Sequence, residues 1–522
     1  MITRFAPNGA VTAASHLAAT AGTAMLDQGG NAADAATAAA AVMAVVAPHM
    51  CGLGGDLFAL VGQDGQRPAA LNASGRAGSG ANSERLRAAG AGVMPFRHDI
   101  RSVTVPGCVD GLVALHERFA TLPLADLLRP AQRLADGGFP VSLTLAQASA
   151  ELAPDERSLA FGSSRPLAHG DRLVLKGVGA VLREVAAYGR KAFYEGPVAA
   201  ELIKAGGGEF TEDDLQAQQA DWVRPLDMAL FGRRIWTIPP NSQGYLALAG
   251  AWIAEETGIP ADPLAERWAF LLVEAARQAA YDRPAVLHED ADAAALVAAS
   301  RLRPRAAAVR ERASRGLADV YSDGGTTHIC AVDGRRTGVS LIMSNAADFG
   351  SRLILPSHGI FLHNRGIGFS LQQDHPAEYR PGRRPPHTLA PLIVTGPGCE
   401  LDTVLGTMGA DAQPQILLQL LVRIFAHGQQ PGAAIAAPRW VLSREPTTEF
   451  DIWRLDAPPL VRVEHGAPPA WSQGLRKRGY EVVECDPGEQ AFGHAQMIRV
   501  TRDGMLAGAA DPRSGDGSFA GR

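Results

Sequence analysis

The chain has few aromatic residues, few cysteines and little net charge. Phe, Trp and Tyr make up 6% of 522 residues, beside a 46% hydrophobic share. That balance suits an alanine-rich soluble protein with a sizeable core. A net charge of -5 and a pI near 6.3 leave no basic footprint, so nucleic acid is not an expected partner. The cysteines Cys51, Cys108, Cys330, Cys399 and Cys485 are odd in number and widely scattered. They form no CxxC pair, which excludes a disulfide framework and a thiolate metal site and leaves buried thiols. No run of about 18 strongly apolar residues is present, so no membrane partner is expected. The nearest, Ala35 to Val46, is short and alanine-heavy and reads as a buried helix. Met1 to Thr12 lacks the basic and apolar parts of a leader, which points to the cytoplasm. There is no internal repeat.

What is present divides into a helical part and a strand-rich part. Val11 to Ser15 reads as a short strand, and His16 to Gln28 as a helix stopped by Gly29-Gly30. Asn31 caps a second helix to about Val46, ended by Pro48. A glycine-rich loop, Gly52 to Gly55, then leads to a strand, Leu57 to Val61. The order helix, loop, strand is the reverse of a dinucleotide fingerprint, so no nucleotide cofactor is expected. From about Val109 to Ala318 the chain reads as largely helical. Apolar residues recur at helical spacing over Leu112–Phe119, Leu124–Asp136, Val181–Tyr188, Val198–Lys204, Tyr245–Glu256 and Arg267–Tyr281. Arg303 to Leu317 reads as a charged, solvated helix leading into the linker Tyr321-Ser322-Asp323. Beyond it come a hairpin of Thr327–Val332 with Gly338–Met343, a short strand Gly359–His363 and a long loop Gly366–His387. Strands at Leu389–Val394 and Thr403–Leu405 follow, then an amphipathic helix Gln413–Ala426. Further strands over Trp440–Val463 and Glu481–Ala507 flank a helix Pro469–Arg478.

One stretch carries chemistry: Asp323-Gly324-Gly325-Thr326-Thr327-His328, opening the strand that runs to Asp333. Glycines before a strand ordinarily mark a turn. The alternative is a nucleophile. If the Gly325–Thr326 bond is cut, Thr326 gains a free α-amine, whose pKa near ~8 lets it serve as base for its own hydroxyl. The hexapeptide alone leaves both readings open.

Other stretches bear on that choice. Gly29-Gly30-Asn31-Ala32-Ala33-Asp34-Ala35-Ala36 and Pro48-His49-Met50-Cys51-Gly52-Leu53-Gly54-Gly55-Asp56 resemble the N-terminal signature of γ-glutamyltransferases. The pattern continues in order through Val105-Pro106-Gly107, Asp110-Gly111 and Phe193-Tyr194-Glu195-Gly196. It then runs through Phe210 to Leu215, Pro239-Pro240-Asn241-Ser242-Gln243-Gly244, Thr326-Thr327-His328, Phe349-Gly350-Ser351 and Ala510-Asp511-Pro512-Arg513. The resemblance covers nearly the whole chain. It implies an α+β fold, the four-layer α-β-β-α sandwich of N-terminal nucleophile hydrolases. It also implies self-cleavage between Gly325 and Thr326, giving a largely helical large fragment 1–325 and a small fragment 326–522. These would stay together as a heterodimer, and pairing of two heterodimers is a further expectation.

The same resemblance carries site roles onto particular residues. Ser344, 18 residues after Thr326, takes the place of a hydroxyl that bonds the nucleophile. Gly409 matches the first residue of the family's Gly-Gly oxyanion pair, and Ala410 replaces the second while keeping its N–H. Asn345 stands one residue before the family's substrate-binding asparagine, where this chain has Ala346. The amino-acid clamp departs from the family. Ser74 holds the place of its carboxylate-binding arginine, with Arg76 two residues on. Gly368 replaces an amine-binding aspartate, and His387-Thr388 follow Arg384-Pro385 where two serines are the rule. Arg76, Arg365 or Arg384 could supply a cation for a substrate carboxylate, with Asn345, His387 and Thr388 as further substrate contacts. His49, His328 and His387 have no metal-ligand spacing, and no metal or cofactor is expected.

The implied activity is cleavage of γ-glutamyl-type amides of the glutathione class through an acyl-enzyme, mainly by hydrolysis. One alternative is the same machinery acting on another small carboxylate amide, such as oxamate, or on a β-lactam side chain. Another is an uncleaved, inactive binding protein.

Overall fold

The computed structural model describes residues 1–314, 325–443 and 460–522. Two seven-stranded sheets form its centre, with every neighbouring pair antiparallel. In the first sheet the order is Ser518–Gly521, Ala10–Ala13, Gly325–Val332, Gly338–Ala346, Asp56–Gly62, Ala69–Ala73, Asp221–Val223. In the second it is Arg4–Ala6, Leu506–Ala510, Ala495–Val500, Leu401–Thr407, Leu392–Thr395, Arg233–Thr237, Leu226–Leu230.

Side-chain alternation decides what lies between and outside the sheets. Phe58, Leu60, Cys330, Val332 and Ile342 of the first sheet meet Trp236, Ile393, Val404 and Ile498 of the second. The opposite face of the first sheet carries Leu57, Ala59, Ile329, Ala331, Leu341 and Met343, which pack under helices. Those helices include His16–Asp27, Ala32–Val46, Cys108–Phe119 and Leu124–Gly137. Every residue of Ala32–Val46 is buried. Its small side chains let neighbours approach closely: a Cβ on Gly22 would fall 2.9 Å from the Ala35 carbonyl. Asn31 and Asp34 close its N-terminus as a capping box. On the outer face of the second sheet lie Tyr245–Thr257, Glu266–Ala280 and Gln413–Leu421. The result is the four-layer α-β-β-α sandwich. No helix among the described residues is long and apolar enough to cross a membrane.

The structure corrects several expectations. Three short strands, Asp221–Val223, Leu226–Leu230 and Arg233–Thr237, interrupt the region read as helical. The last two are joined through Phe231 (φ 52°) and Gly232 (φ 68°), a two-residue turn with both φ positive. Ala69–Ala73 is a further strand without a strong apolar alternation. Of the expected helix Arg303–Leu317, residues 315–317 lie outside the described ones; the described helix is Ala299–Ala308, with Leu302, Arg305 and Ala306 buried. Arg305 is held there by Asp282 at 2.6 Å. The Gln413 helix is buried on every side rather than amphipathic, and its last turn widens into a π-helix over Val422–Ala426. Gly359–His363 shortens to Ile360–Phe361. The linker Tyr321-Ser322-Asp323, Gly324 and most of the span between Trp440 and Val463 lie outside the described residues.

Candidate active site

Thr326 is the second residue of its strand and is buried. Alternation puts Thr326, His328 and Cys330 on the face toward the second sheet. Pairing with the Gly338–Ala346 strand sets Ser344 opposite Thr326, and a register shift falls between Gly325 and Thr326.

The hydroxyls of Thr326 and Ser344 are 3.0 Å apart. Ser344 donates to the Gly325 carbonyl at 2.7 Å and accepts from the Ala346 N–H at 2.8 Å. A serine hydroxyl has one proton. With that proton committed to Gly325, Thr326 is the donor in the pair. In the continuous chain one side chain therefore holds both the threonine oxygen and the carbonyl of the Gly325–Thr326 bond. Gly325 itself has no room for a side chain: a Cβ would lie 2.7 Å from Asp348 Oδ1 and 2.9 Å from the His49 carbonyl.

Asn345 is cradled by the Pro48–Gly55 loop. Its N–H reaches the Met50 carbonyl at 3.0 Å and its Nδ2 reaches Pro48 O at 3.1 Å. Its Oδ1 has no partner among the described residues. Close contact explains the glycines of that loop, since a Cβ on Gly55 would fall 2.5 Å from the Ser344 carbonyl.

Across the sandwich, the Leu401–Thr407 strand passes over His328, so that a Cβ on Gly406 would be 2.2 Å from its Nε2. Beyond its end at Thr407 the chain turns through Gly409 (φ 137°) and Ala410 (φ 43°). Ala410 thus adopts a left-handed conformation that glycine takes more readily. Gln243 ties this turn to the His387–Leu389 segment: its Nε2 donates to Ala410 O and Thr388 O, each at 2.9 Å. Arg283 and Asp411 pair behind it at 2.5 Å.

Other residues singled out from the sequence are engaged elsewhere. Arg76 is a third exposed and pairs with Asp221 and Glu289, each at 3.1 Å. Arg384 binds Asp221 at 2.8 Å and the carbonyl of Ser74. The Ser74 hydroxyl lies within an Asn72–Asn241 network. His387 lies 3.2 Å from Asp56 Oδ2, and its Nδ1 accepts from Leu389 N–H at 3.3 Å, which makes Nε2 the protonated nitrogen. Burial lowers its pKa to about 4 despite the carboxylate, so it is uncharged at neutral pH. His328 bonds Ser340 at 2.8 Å, and burial lowers its pKa to about 3.

Sequence reasoning assigned no role to Asp56, which pairs in register with Ser344. Burial would raise its carboxyl, but His363, His387 and the Gly75 N–H outweigh that and leave it lowered. The only signal was its place directly after the Gly54-Gly55 pair. Arg365, one of the three candidate cations, is set apart from Arg76 and Arg384 by its surroundings. It is fully buried, with its Nη1 donating to Thr388 Oγ1 at 2.9 Å.

These placements can be set beside known proteins. The profile of the gamma-glutamyltranspeptidase family matches residues 18–521. The chain is 33% identical over 528 residues to the glutathione hydrolase-like YwrD proenzyme of Bacillus subtilis, with 97% of each covered. It is 34% identical over 535 residues to the oxamate amidohydrolase proenzyme of Klebsiella pneumoniae, with 98% of each covered. The crystal structure of cephalosporin acylase from Bacillus halodurans superposes with a TM-score of 0.89 at 31% identity, over 100% of this chain and 97% of that one. That structure shares its sandwich with this chain along the whole length, and the chain belongs to the γ-glutamyltranspeptidase family of N-terminal nucleophile hydrolases.

Proposed function

We propose that this protein is a self-processing amidohydrolase whose nucleophile is Thr326. The observation that carries the reading is the double hold of Ser344 on the Thr326 hydroxyl and the Gly325 carbonyl. In the precursor, attack of the threonine oxygen on that carbonyl would transfer the Gly325 acyl group from nitrogen to oxygen, and water would then release it. The Ser344 donor sits where the negative charge of that step develops. Once cut, Thr326 carries its own base, and the same hydroxyl is free to take an acyl group from an amide substrate. Gly409 and Ala410 are the proposed oxyanion donors for that second reaction. The pieces are fragments 1–325 and 326–522.

The substrate class is the γ-glutamyl-type amide, with hydrolysis outweighing transfer. A second reading, amides of other small carboxylates such as oxamate or a β-lactam side chain, has a specific support. Gly368 stands where an acid would hold an α-ammonium, and its Cβ position lies 2.5 Å from the Pro386 carbonyl. The test is mass spectrometry of the purified chain. Two pieces are expected, the smaller beginning at Thr326, and Thr326→Ala should give a single uncut, inactive chain. A wild-type chain that stays whole through long incubation at neutral pH, yet hydrolyses amides, would overturn the reading.

A further inference from the structure

Buried guanidinium groups are costly unless matched by an anion, so each is worth an accounting. Arg283 has Asp411 and Arg439 has Asp511, at 2.5 and 2.6 Å. Arg277 has Glu274 and the Tyr480 hydroxyl. Arg157 and Arg423 also lack a carboxylate but donate to backbone carbonyls. Arg365 has none of these matches. It is 1% exposed, its one side-chain hydrogen bond is the neutral hydroxyl of Thr388, and its Nε is buried with no partner among the described residues. No carboxylate of the described residues lies within ion-pair distance of it. Burial lowers its pKa to about 10, so the charge persists at neutral pH.

Its position adjoins the proposed reaction centre. Asn364, its neighbour, donates its N–H to the carbonyl of Asn345 at 3.2 Å, one residue from Ser344. On the other side, Arg365 binds Thr388, whose carbonyl shares Gln243 with that of Ala410. Arg365 therefore lies between the strand end that carries Ser344 and the turn that carries Gly409 and Ala410. The 3-10 turn that begins with it is closely packed: a Cβ on Gly366 would fall 2.7 Å from the Ser102 carbonyl and one on Gly368 2.5 Å from that of Pro386.

We propose that Arg365, with the Thr388 hydroxyl beside it, anchors a substrate carboxylate. It thereby favours the second reading above over γ-glutamyl amides: the substrate would be the amide of a short dicarboxylic acid whose free carboxylate needs no α-ammonium next to it. A guanidinium offers a planar fork of donors that fits a carboxylate in two parallel hydrogen bonds. An ammonium would lack a matching acid. Asp56 already serves His387, His363 and the N–H groups of Gly75 and Gly107. Asp411 is paired with Arg283. The unpartnered Asn345 Oδ1 is uncharged.

The assignment rests on Thr326 being the nucleophile, and the experiment separates the two claims. Three anilides are compared on enzyme that has split at Gly325–Thr326: glutaryl-, γ-glutamyl- and butyryl-p-nitroanilide. The first has the carboxylate alone, the second adds the ammonium, and the third has neither. For the wild type, kcat/KM is expected to be about 100-fold higher for glutaryl than for butyryl, the worth of a charged hydrogen-bonded pair. The γ-glutamyl anilide should be the poorer of the two carboxylates. In Arg365→Gln the glutaryl-to-butyryl ratio should fall to within about 3-fold of one, mainly through KM. A wild-type ratio near one, or an unchanged ratio in Arg365→Gln, overturns the anchor. A γ-glutamyl rate above the glutaryl rate overturns the stated substrate class. If Arg365→Gln does not fold and split, Arg365→Lys is measured instead, since a point charge cannot reproduce the fork. A drop of about tenfold in its ratio supports the anchor, and no drop overturns it. A wild type that neither splits nor hydrolyses any of the three instead overturns the Thr326 reading, and the anchor falls with it.

Discussion

Ser344 is the residue on which the two proposed reactions converge. Its hydroxyl donates to the Gly325 carbonyl and accepts from Thr326. Ser344→Ala removes the only side-chain donor to that carbonyl among the described residues. Loss of one donor to a developing oxyanion typically costs about 10²–10³ in rate. Self-cleavage of Ser344→Ala, followed as the fraction of intact chain with time, should slow by about that factor, whereas Ser344→Thr should cleave close to the wild-type rate. An alanine variant that processes as fast as wild type would remove the serine from the reaction. The base is a separate question with its own readout. The α-amine of a cut Thr326 works only when neutral, and a free terminal amine titrates near ~8. Burial favours the uncharged form and lowers that value. kcat/KM should rise through one ionisation between about pH 6 and 8. The neighbouring histidines do not titrate there, because burial lowers His328 to about 3 and His387 to about 4. His328→Asn should change the height of the profile and keep that limb. A processed His328→Asn enzyme whose profile has lost the limb would make histidine the base.

At the scale of elements, the inter-sheet spacing is set by where a strand lacks a side chain. The imidazole of His328 fills the space that a side chain at Gly406 would need, and it is fixed by its bond to Ser340. Gly406→Ala should therefore cost about 1–3 kcal/mol, the usual range for overpacking a core, seen as a lower denaturation midpoint. A variant as stable as wild type would mean that the two strands part easily. The same region shows how much of the fold could be read in advance. Gly325–Val332 and Gly338–Ala346 alternate in β-branched and apolar residues, and both were legible as a hairpin. The capped helix Ala32–Val46 was legible from Asn31 and its alanines. Leu226–Leu230 and Arg233–Thr237 were not, because they are five residues long and turn through Phe231-Gly232, which lacks the Asn-Gly or Asp-Gly signal. Within the site, the roles of Thr326 and Ser344 came from the resemblance to γ-glutamyltransferases, whereas their contact follows from strand register. Arg365 was one of three arginines that sequence could not separate. What distinguishes it is the absence of a counter-ion, and that depends on Asp221 and Glu289 having reached Arg76, and Asp221 Arg384.

At the scale of the whole molecule, the two proposed fragments are woven through both sheets. Ala10–Ala13 lies between Ser518–Gly521 and Gly325–Val332, and Asp56–Gly62 pairs with Gly338–Ala346. A cut before Thr326 thus breaks one bond and leaves the sandwich one cooperative body. That body holds four fully buried histidines whose pKa values burial has lowered. They are His49 and His328, each to about 3, and His387 and His494, each to about 4. Free histidine titrates near 6.5. Below that pH the unfolded chain binds protons that the folded chain refuses, so stability falls as pH falls. The stabilisation is complete above about pH 6.5 and is lost toward pH 4 for His387 and His494 and toward pH 3 for the other two. Each histidine contributes ~1.4 kcal/mol per pH unit across its window. Asp56, whose carboxyl is also lowered, adds the same sign at more acid pH. The thermal midpoint of the processed protein should therefore be nearly flat from pH 8 to 7 and fall steeply between about pH 6 and 4. Both fragments should unfold in a single transition. A midpoint that holds constant down to pH 4 would mean that these rings are protonated or solvated in the folded state. Two separate transitions would mean that the interleaved sheets do not bind the fragments into one unit.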